Sequence, residues 1–92
     1  LKLMKYRVDW LLRAVKQAAH LPARERARIV EAVDRLAGWP LPVADIRPIR
    51  GQPDRYRLRV GRYRVLFEVA TAIQVIRVEE VKKRDERTYQ RR

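Results

Sequence analysis

From Tyr56 to Val69 the chain alternates apolar with mostly charged residues at period two, interrupted at Gly61 and with Leu66 as the apolar exception on the charged face. Tyr56, Leu58 and Val60 interleave with Arg57 and Arg59. Beyond the glycine, Tyr63, Val65, Phe67 and Val69 interleave with Arg62, Arg64, Leu66 and Glu68. Successive side chains of a strand point to opposite faces, so this stretch predicts a hairpin with one apolar and one charged face. Such a hairpin must be covered on one side and left open on the other. The open side is strongly basic: Arg47, Arg50, Arg55, Arg57, Arg59, Arg62 and Arg64 stand against the single carboxylate Asp54 in the run from Arg47 to Arg64.

Helical stripes supply the cover. Leu11, Leu12, Val15, Ala18 and Ala19 recur at helical spacing after a short first strand over Lys5–Trp10, in which Tyr6, Val8 and Trp10 alternate. Leu21-Pro22 interrupts, and Pro22 suits the first turn of a second helix whose apolar face is Ile29, Val30, Val33, Leu36 and Ala37. Glu25 falls at that helix's positive end, and Gly38 offers a left-handed stop. A proline-rich crossing through Trp39-Pro40-Leu41-Pro42 leads to an irregular strand anchored by Ile46 and Ile49. Strands near 54–60, 62–69 and 73–81 follow, and Lys83–Gln90 reads as a short terminal helix. The expected architecture is α+β: two N-terminal helices packed on a small, mainly antiparallel sheet, with a short C-terminal helix. Residues 1–92 form one domain, since so short a chain supports one modest core.

Composition narrows the chemistry. Among 92 residues the net charge is +12, with 37% charged and 47% hydrophobic residues. The apolar share is that of a folded domain, and the charge favours polyanionic partners. No cysteine is present, which removes disulfides and thiolate chemistry. The lone histidine, His20, suits the negative end of the first helix better than catalysis. Asp9, Asp45 and Asp54 have no metal-site spacing, so no metal and no cofactor is expected. No apolar run reaches the about 18 residues of a membrane span, and a soluble, cytoplasmic protein without a membrane partner is expected.

Arg57, Arg59 and Arg64 are the candidate phosphate-binding residues. Guanidinium forks match phosphate oxygens, although arginine stems on a strand also shield the sheet beneath. Arg84 and Tyr89, in VKKRDERTYQRR, are the next candidates, one for the phosphate cradle and one for stacking or hydroxyl chemistry. Arg55, Arg62, Lys82, Lys83 and Arg87 are expected to grip the nucleic-acid backbone.

The segments MKYRVDWLLRAVKQA, LPARERARIVEAVDRL, YRLRVGRYRVLFEV and VKKRDERTY, which together span most of residues 4–90, closely resemble the RelE/ParE toxin superfamily of type II toxin–antitoxin systems. The resemblance implies the same helix–helix–sheet fold. It also implies one of two activities: ribosome-dependent cleavage of mRNA in the A site for RelE-like members, or inhibition of DNA gyrase for ParE-like ones. The basic hairpin positions and the late Arg-Tyr pair of the nuclease branch match Arg57, Arg59, Arg64, Arg84 and Tyr89. That set favours a metal-independent endoribonuclease, with the gyrase inhibitor as the alternative. The implied partners are a cognate small acidic antitoxin, the 70S ribosome and mRNA, with promoter DNA bound only through the antitoxin.

Overall fold

The computed structural model of the protein describes residues 5–40 and 45–83. Its elements run β1 (Arg7–Trp10), α1 (Leu12–Ala19), α2 (Ala23–Asp34), a 3-10 turn (Arg35–Gly38), β2 (Ile46–Pro48), β3 (Arg55–Val60), β4 (Tyr63–Ala70), a second 3-10 turn (Thr71–Ile73) and β5 (Val75–Lys83). The five strands form one sheet in the order β1-β5-β4-β3-β2. All neighbours are antiparallel except β1 and β5, which pair in parallel. The terminal helix expected over 83–90 lies outside the described residues, as do Leu41, Pro42, Arg84, Arg87 and Tyr89; Lys83 closes β5.

The β3–β4 hairpin follows the alternation read from the sequence. Val60 pairs with Tyr63, which leaves Gly61-Arg62 as a two-residue loop. Gly61 has φ +58, as the first position of the tight hairpin turn that suits strand twist requires. Leu58, Tyr63, Val65, Phe67 and Val69 are buried on the helix side and join Ile76, Val78 and Val81 of β5. Phe67 is fully buried; Trp39 meets it edge-on at 5.7 Å, and Tyr56 stacks on it at 5.7 Å. Trp39 thus serves the core, as expected, and Trp10 packs against the same cluster.

Three details of the helices differ from expectation. On α1 the buried residues are Ala14 and Ala18, whereas Leu12 is 67% exposed and Val15 45% exposed. An eight-residue helix with a wide apolar arc has several ways to face a sheet. Here the alanines allow close approach to β5, and between them the Gln17 Oε1 accepts the Val81 N–H at 2.7 Å. That bond occupies a strand donor beyond the end of β1 that would otherwise lack a partner. In the second helix Pro22 sits at the cap, not within the first turn. Gly38 ends a 3-10 turn without positive φ, and the Trp39 N–H donates to the Leu36 carbonyl at 2.9 Å.

Candidate functional site

Residues opposite one another in a sheet share a face, so the register states which side chains emerge together. Arg59 pairs with Arg64, and Arg64 pairs with Lys82. Three cations therefore stand in one row across β3, β4 and β5, on the face away from the helices. The next outward row is Arg47, Arg57, Leu66 and Glu80, and the row beyond that is Arg55, Glu68, Arg77 and Asp9. The sequence-predicted trio Arg57, Arg59 and Arg64 is thus gathered on one side of adjoining strands, with Lys82 beside it.

Like charges placed directly opposite repel. Among the described residues the salt bridges are Arg7–Asp9, Arg55–Glu79 and Arg77–Glu68, and none takes up Arg57, Arg59, Arg64 or Lys82. The row is held against its own repulsion by the apolar residues behind it, above all Val65 and Phe67, both fully buried. A preassembled set of donors, unpaired among the described residues, is what phosphate oxygens require.

The other candidates lie elsewhere. Arg55 is gripped by Glu79 through its Nε at 3.1 Å and its Nη2 at 2.9 Å, and that carboxylate raises the guanidinium's pKa above its ordinary value. Arg62 is exposed in the hairpin loop. Lys83 pairs with Tyr63 and so belongs to the helix side. A cleft of about 250 Å³ opens between α2 and the end of β3, lined by Arg28, Glu31, Arg35, Asp45 and Arg59 among others.

Two features of the site escaped the sequence reading. The first is a bulge in β5: Leu66 pairs with Glu80 but Phe67 pairs with Val78, so Glu79 is an extra residue. A bulge lets two consecutive residues oppose one, and here Glu79 reaches Arg55 across the outer face beside Glu80. The signal was present in Val78-Glu79-Glu80-Val81, where the inward valines are three apart instead of two. The second feature is the bond from the Tyr63 hydroxyl to the Glu25 carboxylate, which ties the hairpin to the start of α2. This bond, aided by desolvation and by the nearby negative charge, raises the Tyr63 pKa. His20 closes α1, with its Nδ1 2.7 Å from the Lys16 carbonyl oxygen. Among the described residues no group of three or more His, Cys, Asp or Glu could hold a metal ion.

No family model matches the chain. It is 33% identical to a chain in the crystal structure of an archaeal RelE–RelB complex from Pyrococcus horikoshii, with a TM-score of 0.79 over 90% of this chain and 99% of that one. The chain belongs to the RelE branch of the RelE/ParE toxin superfamily. A candidate toxin of Methanocaldococcus jannaschii, RelE1, is 27% identical over 84 residues, covering 89% of this chain and 93% of its own. The isolated E. coli RelE toxin shares the fold, at 24% identity and a TM-score of 0.77, with 92% of each chain covered. The fold is therefore shared with both solved structures, and the cationic row lies on the face of its sheet away from the described helices.

Proposed function

We propose that this RelE-family chain is the toxin of a type II toxin–antitoxin system, a ribosome-dependent endoribonuclease that cleaves mRNA in the A site without a metal. The observation that carries this reading is the row Arg59–Arg64–Lys82 with Arg57 beside it: a polyanion site built on rigid strands, in a chain of the RelE branch. The reaction is attack by the 2′-hydroxyl on the adjacent phosphorus, which leaves a 2′,3′-cyclic phosphate and a 5′-hydroxyl. Arg57, Arg59 and Arg64 clasp the non-bridging oxygens and neutralise the charge that builds on them in the transition state. Arg84 supports the leaving oxygen, and Tyr89 orients the nucleotide or relays a proton. Lys82, Arg62 and Arg87 grip the flanking backbone, and Arg55, already held by Glu79, borders that track. Lys83, expected to join them, is turned to the helix side of the sheet. The ribosome supplies the rest of the alignment, by forcing the message into a geometry suited to in-line attack.

The partner is a small acidic antitoxin. The P. horikoshii relative was crystallised as a RelE–RelB complex. Exposed Leu12 and Val15, on a chain of charge +12, fit a partner that brings both an apolar helix face and carboxylates. Any promoter binding then belongs to the antitoxin. The proposed location is the cytoplasm, where ribosomes and messages meet; no helix among the described residues is long and apolar enough to cross a membrane.

The test is a translation reaction in which message ends are mapped against codon position. Wild type should give codon-phased cuts, and none where the scissile nucleotide lacks its 2′-hydroxyl. Arg64→Ala should cut about tenfold more slowly or worse, with its melting temperature retained. An unfolded Arg64→Ala protein, or one that cuts at full rate, sinks the site assignment. Intact messages beside inhibited DNA gyrase would move the chain to the ParE-like activity.

A further inference from the structure

The cationic row has a chemical gap. A guanidinium stays protonated in proteins, so Arg57, Arg59 and Arg64 can stabilise charge but cannot remove the proton from an attacking hydroxyl. Catalysis of that step calls for a proton acceptor beside the clasped phosphate, and the bulge in β5 supplies one. Strict alternation after Val78 would send one of Glu79 and Glu80 toward the helices. The extra residue instead keeps Val78 and Val81 buried while Glu79 and Glu80 share the outer surface. Glu79 is taken up by both donors of Arg55. Glu80 makes no salt bridge among the described residues.

Glu80 also stands in the right place. It is opposite Leu66 and two residues before Lys82, which makes it the diagonal neighbour of Arg64. Such neighbours are about 7–8 Å apart in a sheet, so a phosphate held by Arg64 lies within reach of a glutamate side chain. The charged groups around it are Arg64 and Lys82 on one side and Arg57 and Arg47 along its own row. On the other side stand Glu68, Glu79, Arg77 and Asp9, and Arg13 of α1 donates its Nε to the Glu79 carbonyl at 3.3 Å.

We infer that Glu80 is the general base of the cleavage, an inference that rests on the endoribonuclease reading. The Glu80 carboxylate takes the proton of the 2′-hydroxyl as the O2′–P bond forms and the P–O5′ bond breaks. The departing O5′ acquires a proton from solvent, and Glu80 later returns its own proton to solvent. The step is a transesterification and consumes no water. A purely charge-balancing Glu80 has the opposite signature, because removing its negative charge would strengthen the grip on RNA and leave the rate intact or raised.

Single-turnover cleavage on message-programmed ribosomes separates the two. Glu80→Gln should lower the rate by about 100-fold or more, the usual scale of general-base catalysis, and abolish the acidic limb of the pH–rate profile. The toxin concentration for half-saturation should stay the same or fall. Formate should restore part of the rate to Glu80→Ala, whereas chloride at equal ionic strength should not. Glu80→Gln cutting at the wild-type rate, or retaining the wild-type acidic limb, overturns the inference while leaving the endoribonuclease reading intact. A wild-type protein that cuts no message removes both.

Discussion

The two ends of the sheet's open face are built from the same residue types and behave in opposite ways. At one end the row Arg55, Glu68, Arg77 and Asp9 alternates in sign across four strands, and the Arg77 Nη1 meets the Glu68 Oε1 at 2.6 Å. Two outward rows away, Arg59, Arg64 and Lys82 repeat one sign. The first arrangement satisfies itself, because each charge faces its opposite. The second is repulsive, and no salt bridge among the described residues relieves it. The excess charge of +12 is therefore not a uniform coat, and an arginine's place in the register says more about its role than its identity does.

The sharpest way to break this contrast is to remove arginines from each end. Arg59→Ala with Arg64→Ala should cut message about 1000-fold more slowly, since loss of one preorganised donor to a transition state is already a large effect. The melting temperature of that double variant should not fall, because two opposed like charges have gone. Arg55→Ala should do the reverse, with a lower melting temperature and a much smaller loss of cleavage. Equal losses of rate at both ends would mean that the register does not sort these arginines by role.

A gentler change converts one end toward the other. Glu79→Gln releases Arg55 from its carboxylate partner and should add one phosphate contact to the track. Binding to single-stranded RNA should tighten at low salt, and the logarithmic salt slope should steepen by about 0.7. An unchanged slope would show that Arg55 stays out of the RNA's path even when its partner is gone.

Much of this arrangement was legible in the sequence, and the reason is physical. Alternation from Tyr56 to Val69 can be read locally because strand periodicity is local, so the hairpin and the common face of Arg57, Arg59 and Arg64 follow from neighbours in the chain. Pairing between distant strands is not local. Nothing near Arg7 or Val75 announces that β1 lies parallel to β5. The company of Lys82 with Arg64 comes from the neighbouring strands β4 and β5, but its register includes a bulge that strict alternation does not foresee. Glu79 and Glu80 were hidden for a related reason, since a bulge shows only as valines three apart and strict alternation assigns one of the glutamates inward. The α1 stripe misled because Leu12 and Val15 are as apolar as any core residue, yet Ala14 and Ala18 are the residues buried and Gln17 accepts the Val81 N–H.

The smallest effect concerns how the repulsive end is kept in shape. The neutral end is stitched by its own ion pairs on the open face, whereas the cationic end is anchored from behind, by Tyr63 bonding to Glu25 next to Arg64. The bond favours the protonated phenol in the folded state, which raises the Tyr63 pKa. Above the ordinary tyrosine value of about 10, the unfolded chain gives up this proton while the folded chain still holds it. The bond's contribution is therefore complete below about pH 10 and is lost as pH climbs through the raised value. Tyr63→Phe should melt at a lower temperature than wild type near neutrality, and the two melting curves should converge in alkaline solution. A gap between them that stays constant from about pH 7 to about pH 11 would mean that the phenol's proton has no part in holding the hairpin. The repulsion of Arg59, Arg64 and Lys82 would then be borne by the apolar core alone.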